Sequence, residues 1–204
     1  MAGPNGGNSS GELMQTTGTL FILSAPSGAG KSTLVSTMRA RFPDLKYSVS
    51  HTTRPPRPGE VDGKDYFFIP VNEFRAGIKS GLWAEWAEVH GHYYGTSARF
   101  LTETLAAGKD LLLDIDVQGA CQIGRKFAQA VSVFILPPSM EVLRKRIKSR
   151  GTDLPEVIAL RLKNARRELA KKKLYDYRIV NDRLDEAVDA LAAVIARHRR
   201  QGKP

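Results

Sequence analysis

Apolar positions along the chain follow two alternating patterns. Short unbroken apolar runs occur at LFILS (Leu20–Ser24), LLLDID (111–116), VSVFIL (Val131–Leu136) and RIVN (178–181). Runs of this length fit strands buried on both faces. Helical spacing marks Lys31–Arg41, 97–107 (Phe100, Leu101, Thr104 and Leu105 on one stripe), 141–150 and 154–173. The last of these opens with Asp153 and Glu156 at capping-box spacing, and Pro155 stands in the first turn, where its missing N–H costs nothing. Strands alternating with helices predict an α/β fold: a doubly wound, mainly parallel sheet with helices on both faces.

The middle of the chain has a different rhythm. YSVSHTT, DYFFI and the stretch 83–96 predict short strands separated by turns such as PPRPGEVDG, with a short helix over 72–80. This block interrupts the strand-helix alternation and reads as a small α+β insertion. Residues 1–17 are rich in Gly, Asn, Ser and Thr, show no periodicity and predict a flexible tail. The final RHRRQGKP predicts a frayed basic end.

Composition narrows the class. The 204 residues are 42% hydrophobic and 25% charged, as in an ordinary globular chain. No run approaches the ~20 apolar residues of a membrane span, and the N-terminus carries no secretory pattern. With a single cysteine, Cys121, no intrachain disulfide is possible. A cytoplasmic location is expected. The net charge of +10 points to polyanionic partners. Residues 141–178 carry thirteen basic and five acidic side chains, so the excess gathers on one helix pair, most of it a solvated face.

The sharpest local signal is APSGAGKST, residues 25–33. Gly28 and Gly30 let the backbone curl so that successive N–H groups face phosphate oxygens. Lys31 reaches the β- and γ-phosphates, the Ser32 hydroxyl ligates Mg²⁺, and the following helix points its positive end at the anion. Ala25 stands where the G-x-x-x-x-G-K-[ST] pattern has its first Gly. In LLLDID, Asp114 and Asp116 are expected on one face of a strand, on the metal side of the site. The four histidines (51, 90, 92 and 198) form no zinc-ligand set, and nothing resembles a Ser–His–Asp arrangement.

Further segments carry a family resemblance. SVSHTTRPPRPGEVDGKDYFF, followed in order by EWAEVHGHYYGT, DIDVQG, RGTD and IVND, resembles the guanylate kinases from about residue 18 to 197. The resemblance implies a P-loop NTPase core (18–48, 97–137 and 174–198), a GMP-binding insertion (49–96) and a helical lid (138–173). It implies transfer of the γ-phosphoryl of ATP to GMP with Mg²⁺. Ala25, Pro26, Ser27, Gly28, Ala29, Gly30, Lys31, Ser32 and Thr33 match the ATP-phosphate loop, and Asn181 a position near adenine. Arg54, Arg57, Tyr66 and Tyr94 match ligands of the GMP phosphate. Ser50, Glu85, Thr96 and Asp116 match the guanine site. Arg146, Arg150 and Arg161 match lid cations that act on the transferred group together with Lys31 and Arg57.

These assignments make chemical sense, though bland readings stand beside them. Arginine forks suit a dianionic phosphate; two scattered loop cations would look the same. A carboxylate at Glu85 accepts from both N1–H and the N2 amino group of guanine. On residues alone, Glu85 also reads as a surface acid between two tryptophans. The nucleophile, an ionised phosphate, needs no general base, so positioning and charge neutralisation do the work. Competing functions are a catalytically inactive scaffold module of the same fold, a kinase for another nucleoside monophosphate, and a nucleic-acid binder. The retained Lys31-Ser32 pair, Glu85 with two hydroxyl neighbours, and the lack of any nucleic-acid-binding signature weigh against each in turn. Small-molecule partners ATP and GMP are expected, with neither nucleic acid nor membrane; monomer and homo-oligomer are equally open.

Overall fold

The computed structural model describes residues 18–89, 91–149 and 155–201. The predicted tail (1–17), Arg150 and the cap at Asp153 lie outside them. Two sheets organise the fold. Strands β1 (Leu20–Ser24), β2 (Lys46–Tyr47), β7 (Leu111–Asp114), β8 (Val131–Leu136) and β9 (Tyr177–Val180) form one sheet in the order β2-β7-β1-β8-β9. Every pairing in it is parallel. Strands β3 (His51–Thr52), β4 (Phe67–Phe68), β5 (Trp83–Val89) and β6 (His92–Ser97) form the other, in the order β4-β3-β6-β5.

The two-residue period of β1 explains the layering. Phe21 and Leu23 enter one apolar cluster with Leu34, Val35 and Met38 of α1 (Lys31–Arg41) and Leu191 and Ile195 of α7 (Leu184–Gln201). Leu20 and Ile22 enter the other, with Leu101 and Leu105 of α3 (Ala98–Ala106) and Ile123 of α4 (Val117–Lys126). Helices therefore cover both faces, as the alternation predicts. Fully burying side chains of this size contributes about 1.5–3 kcal/mol each.

Several expectations are corrected. YSVSHTT is not one strand. Ser48 N–H still donates to Leu112, 3.1 Å away, and the chain then leaves β2 to start β3 in the second sheet. The apolar run 111–116 is strand only to Asp114. The side chain of Asp116 instead takes the N–H of Gly119 (2.7 Å) and caps α4, a role short carboxylates fill better than strand positions. Asp114 and Asp116 therefore do not share a strand face. The final helix runs to Gln201 where a frayed end was expected. Arg199 holds it down by pairing with Asp110 (2.7 Å) and Asp44 and lying over the ring of Phe42.

The remaining helices are α2 (Val71–Lys79), α5 (Met140–Lys148) and α6 (Pro155–Ala170), the last followed by a 3-10 turn at Lys172–Leu174. Side chains from α4 fasten the edge strand of the second sheet to the core. Gln122 bonds both the N–H and the carbonyl of Trp86 (3.2 and 2.7 Å), and Lys126 donates to the Ala84 carbonyl (2.6 Å). No helix among the described residues is long and apolar enough to cross a membrane.

Candidate active site

The loop 25–30 leaves the C-terminal end of β1, between its neighbours β7 and β8, where open parallel sheets bind ligands. Gly28 and Gly30 have φ of 89° and 90°. Gly30 is the N-cap of α1 and supplies no side-chain cap, so the first N–H groups of the helix are left for an anion. Ser32 and Thr33 are exposed on that first turn. Pro26 and Ala29 are buried, and Ala25 packs against the α1–α7 cluster. Lys31 Nζ lies 2.5 Å from Asp114 Oδ1 and donates to the Ile115 carbonyl (3.2 Å). The strand-end carboxylate thus holds the lysine at the mouth of the loop.

A buried carboxylate stands on the other side. Glu85 of β5 is only 4% exposed and pairs in register with Thr96 of β6. The Thr96 hydroxyl donates to Glu85 Oε1 at 2.6 Å. The other oxygen lies against the Cα of Gly119, where any Cβ would strike it. Burial pushes the Glu85 carboxyl up to about 7, the Thr96 bond pulls it down, and Asp116 pushes it up again. The charges of Lys31 and Lys126 favour ionisation. Ser50 is buried just before β3, and continuing the β3–β6 register sets it opposite Thr96.

Arg54, Tyr66 and Tyr94 converge. The guanidinium of Arg54 makes two bonds to Glu60 (2.8 and 2.9 Å) and lies 5.4 Å from the centroid of the Tyr66 ring. The Tyr66 and Tyr94 rings are 5.9 Å apart. Burial, with Asp114 adding, pushes the Tyr66 hydroxyl up to about 12, so it stays a neutral donor. The side chain of Arg57 is exposed on the neighbouring turn, while its N–H donates to Glu60 (2.7 Å).

Helices α5 and α6 form the third wall. Leu143 and Ile147 of α5 are buried and face Gly28, closing the back of the phosphate loop. Arg146 donates to the Asn181 carbonyl (3.1 Å), and Arg161 is half-buried on α6. Asn181 follows β9 and is 4% exposed; its side-chain amide donates to the Ala29 carbonyl at 2.8 Å.

Sequence reasoning passed over Glu168 of α6. One of its carboxyl oxygens is buried without a hydrogen-bond partner. Burial and then Asp116 push the group up to about 7, while Lys31 and the Ser27 N–H pull it down. A cavity of about 290 Å³ beside it is lined by Glu88, Asp116, Gln118 and Arg167. Helical spacing was the usable signal. Glu168 lies three residues after buried Ala165, on the inward face of a helix whose other charges are almost all basic. Sequence reasoning also missed Gly119, whose missing side chain makes room for Glu85.

Comparison with known proteins gives the family. The family model described as guanylate kinase matches residues 17–198. The chain is 54% identical over 182 residues to a guanylate kinase of Geobacter sulfurreducens, covering 89% of this chain and 90% of that one. It is 51% identical over 178 residues to one from Dechloromonas aromatica, covering 87% and 88%. A crystal structure of guanylate kinase from Anaplasma phagocytophilum superposes with a TM-score of 0.73 at 34% identity, covering 92% of this chain and 89% of that one. With a family model matching most of the chain and likeness of this extent, the chain belongs to the guanylate kinase family.

Proposed function

We propose that this chain transfers the γ-phosphoryl group of ATP to GMP, giving ADP and GDP, with the residues just described in the following roles. One observation carries the reading: a nearly inaccessible carboxylate, Glu85, is held by Thr96 and electrostatically linked to Lys31 of the phosphate loop. A buried acceptor pair of this kind matches the N1–H and N2 amino donors of guanine. Adenine offers a lone pair at N1 and leaves the carboxylate unsatisfied, which disfavours AMP by about 10⁴-fold.

Residues 49–96 form the GMP-binding insertion. Arg54, Arg57, Tyr66 and Tyr94 grip the GMP phosphate, and Ser50, Glu85, Thr96 and Asp116 read the base. Arg54 exchanges its bonds to Glu60 for bonds to phosphate, a trade between like charge-assisted pairs. Residues 25–33 cradle the ATP phosphates. Residues 138–173 form the lid, from which Arg146, Arg150 and Arg161 neutralise charge on the moving group.

Magnesium suits this donor set. Ser32 presents an exposed hydroxyl beside the loop, and hard oxygen ligands completed by phosphate and water are what Mg²⁺ takes. The bound ion would neutralise phosphate charge and orient the triphosphate. The protein's own part is to align donor and acceptor, exclude water and hold Lys31 in place. ADP formation should be followed with ATP and Mg²⁺ while GMP, AMP, CMP and UMP are offered in turn. Turnover with GMP alone is expected; equal turnover with AMP would remove Glu85 from base selection.

Acidity tests the same carboxylate. Guanine binds the ionised form, so GMP affinity should fall as pH drops below about 7, approaching tenfold per pH unit. The second ionisation of the GMP phosphate, near 6 if it resembles a phosphorylated side chain, adds its own dependence. Glu85→Gln retains that phosphate contribution and loses the rest. Isothermal calorimetry of GMP binding from pH 8 to 5.5 measures both slopes, and parallel slopes would discard the assignment.

A further inference from the structure

Asn181 has a specific relation to the phosphate loop. Its N–H donates to the Leu136 carbonyl (2.8 Å), which fixes the residue at the end of the parallel sheet. The side-chain amide donates to the Ala29 carbonyl at 2.8 Å, and the backbone carbonyl of Asn181 accepts from Arg146 at 3.1 Å. The amide nitrogen also fills the space that a Cβ at Gly30 would take. The residue is 4% exposed. A side chain buried and spent in this way presents little surface to a base.

Peptide planarity gives these contacts a consequence. The Ala29 carbonyl and the Gly30 N–H belong to one rigid unit and point in opposite directions. Fixing the carbonyl on Asn181 therefore fixes the direction of the Gly30 N–H, opposite to that carbonyl. Without that bond the peptide can rotate about its flanking dihedrals, and Gly30 offers little steric resistance. We propose that Asn181 is a positioning residue that presets the Gly30 N–H for the phosphates of the donor nucleotide, and that it gives the loop and Arg146 a common anchor. This rests on the reading of residues 25–33 as the ATP-phosphate cradle.

The test separates donor from acceptor binding. Asn181→Ala removes the bond and the filler; Asn181→Asp puts an acceptor against the Ala29 carbonyl and should do more harm. ADP affinity by calorimetry is expected to weaken about tenfold in the first and about a hundredfold in the second. KM for ATP should rise in parallel while KM for GMP stays within about twofold. Thermal unfolding monitors the folded fraction, and Asn181→Ser, small and still a donor, replaces any variant that does not fold and should lie between wild type and alanine. ADP affinity unchanged in folded alanine or serine variants, or equal changes in both KM values, would overturn the proposal. Wild-type protein that fails to bind ADP would instead remove the underlying reading of the loop.

Discussion

Glu85→Gln is expected to raise KM for GMP by about 10³-fold and to leave the protein more stable at pH 8. Both effects come from one carboxylate. Ionised, it accepts two hydrogen bonds from guanine, each worth about 1.5–3 kcal/mol because the acceptor is charged. Glutamine keeps one acceptor and turns an N–H₂ group toward a guanine donor, so one bond is lost and a donor-donor conflict is added. The sum is about 4 kcal/mol, or about a thousandfold. Guanine lies at the far end of GMP from the reacting phosphate, so kcat at saturating GMP should fall by less than about tenfold.

The stability effect has the opposite sign. A carboxyl raised from its ordinary 4.5 to about 7 holds its proton in the folded protein and has lost it in the unfolded chain between those values. Stability therefore falls as pH rises from about 4.5 through about 7, by roughly 1.4 kcal/mol per unit, and levels off above. Glutamine removes that loss, which is already net of the Lys31 and Lys126 attractions. Calorimetric melting at pH 5 and pH 8 should show the variant's advantage only at the higher pH. A variant binding GMP normally, or melting lower at both pH values, would contradict the role given to this residue.

Those parts of the fold that obey a local rule were legible from sequence. β1 is apolar at four successive positions because helices cover both its faces, and the glycines after it had to allow positive φ. The helix predicted from residue 141 is α5, which starts at Met140 behind the N-cap Ser139, whose hydroxyl takes the Val142 N–H. Contacts between distant segments were harder to read. The Asn181 bond to Ala29 spans 152 positions, and no periodicity connects the two. Asp116 misled because LLLDID has a strand's alternation to its end, while an N-cap depends on a helix starting one residue later. Glu168 was hidden by its neighbours: in a cation-rich stretch one acid reads as a surface partner, and only the fold brings it up to the Ser27 N–H.

Lys31→Met should lower kcat by about 10³-fold or more, the scale on which single cationic or hydrogen-bonding groups act in phosphoryl transfer. Methionine keeps much of the length and apolar stem and removes the charge. The ammonium is held 2.5 Å from Asp114 Oδ1 and bonded to the Ile115 carbonyl. Its loss also strands the Asp114 carboxylate, which is 18% exposed, and should cost about 1–2 kcal/mol of stability after allowance for solvent. Adding Asp114→Asn separates the two consequences: melting should recover in the double variant, and kcat should not. A third readout comes from Glu85, whose ionisation Lys31 favours. Without the lysine the pH below which GMP binding weakens should move upward, although the altered side chain lies outside the guanine pocket. Recovery of kcat together with melting in the double variant would mean that Lys31 acts only through the fold. A failure of the GMP profile to move would mean that the phosphate loop and the guanine carboxylate do not share the electrostatic site on which the proposed transfer depends.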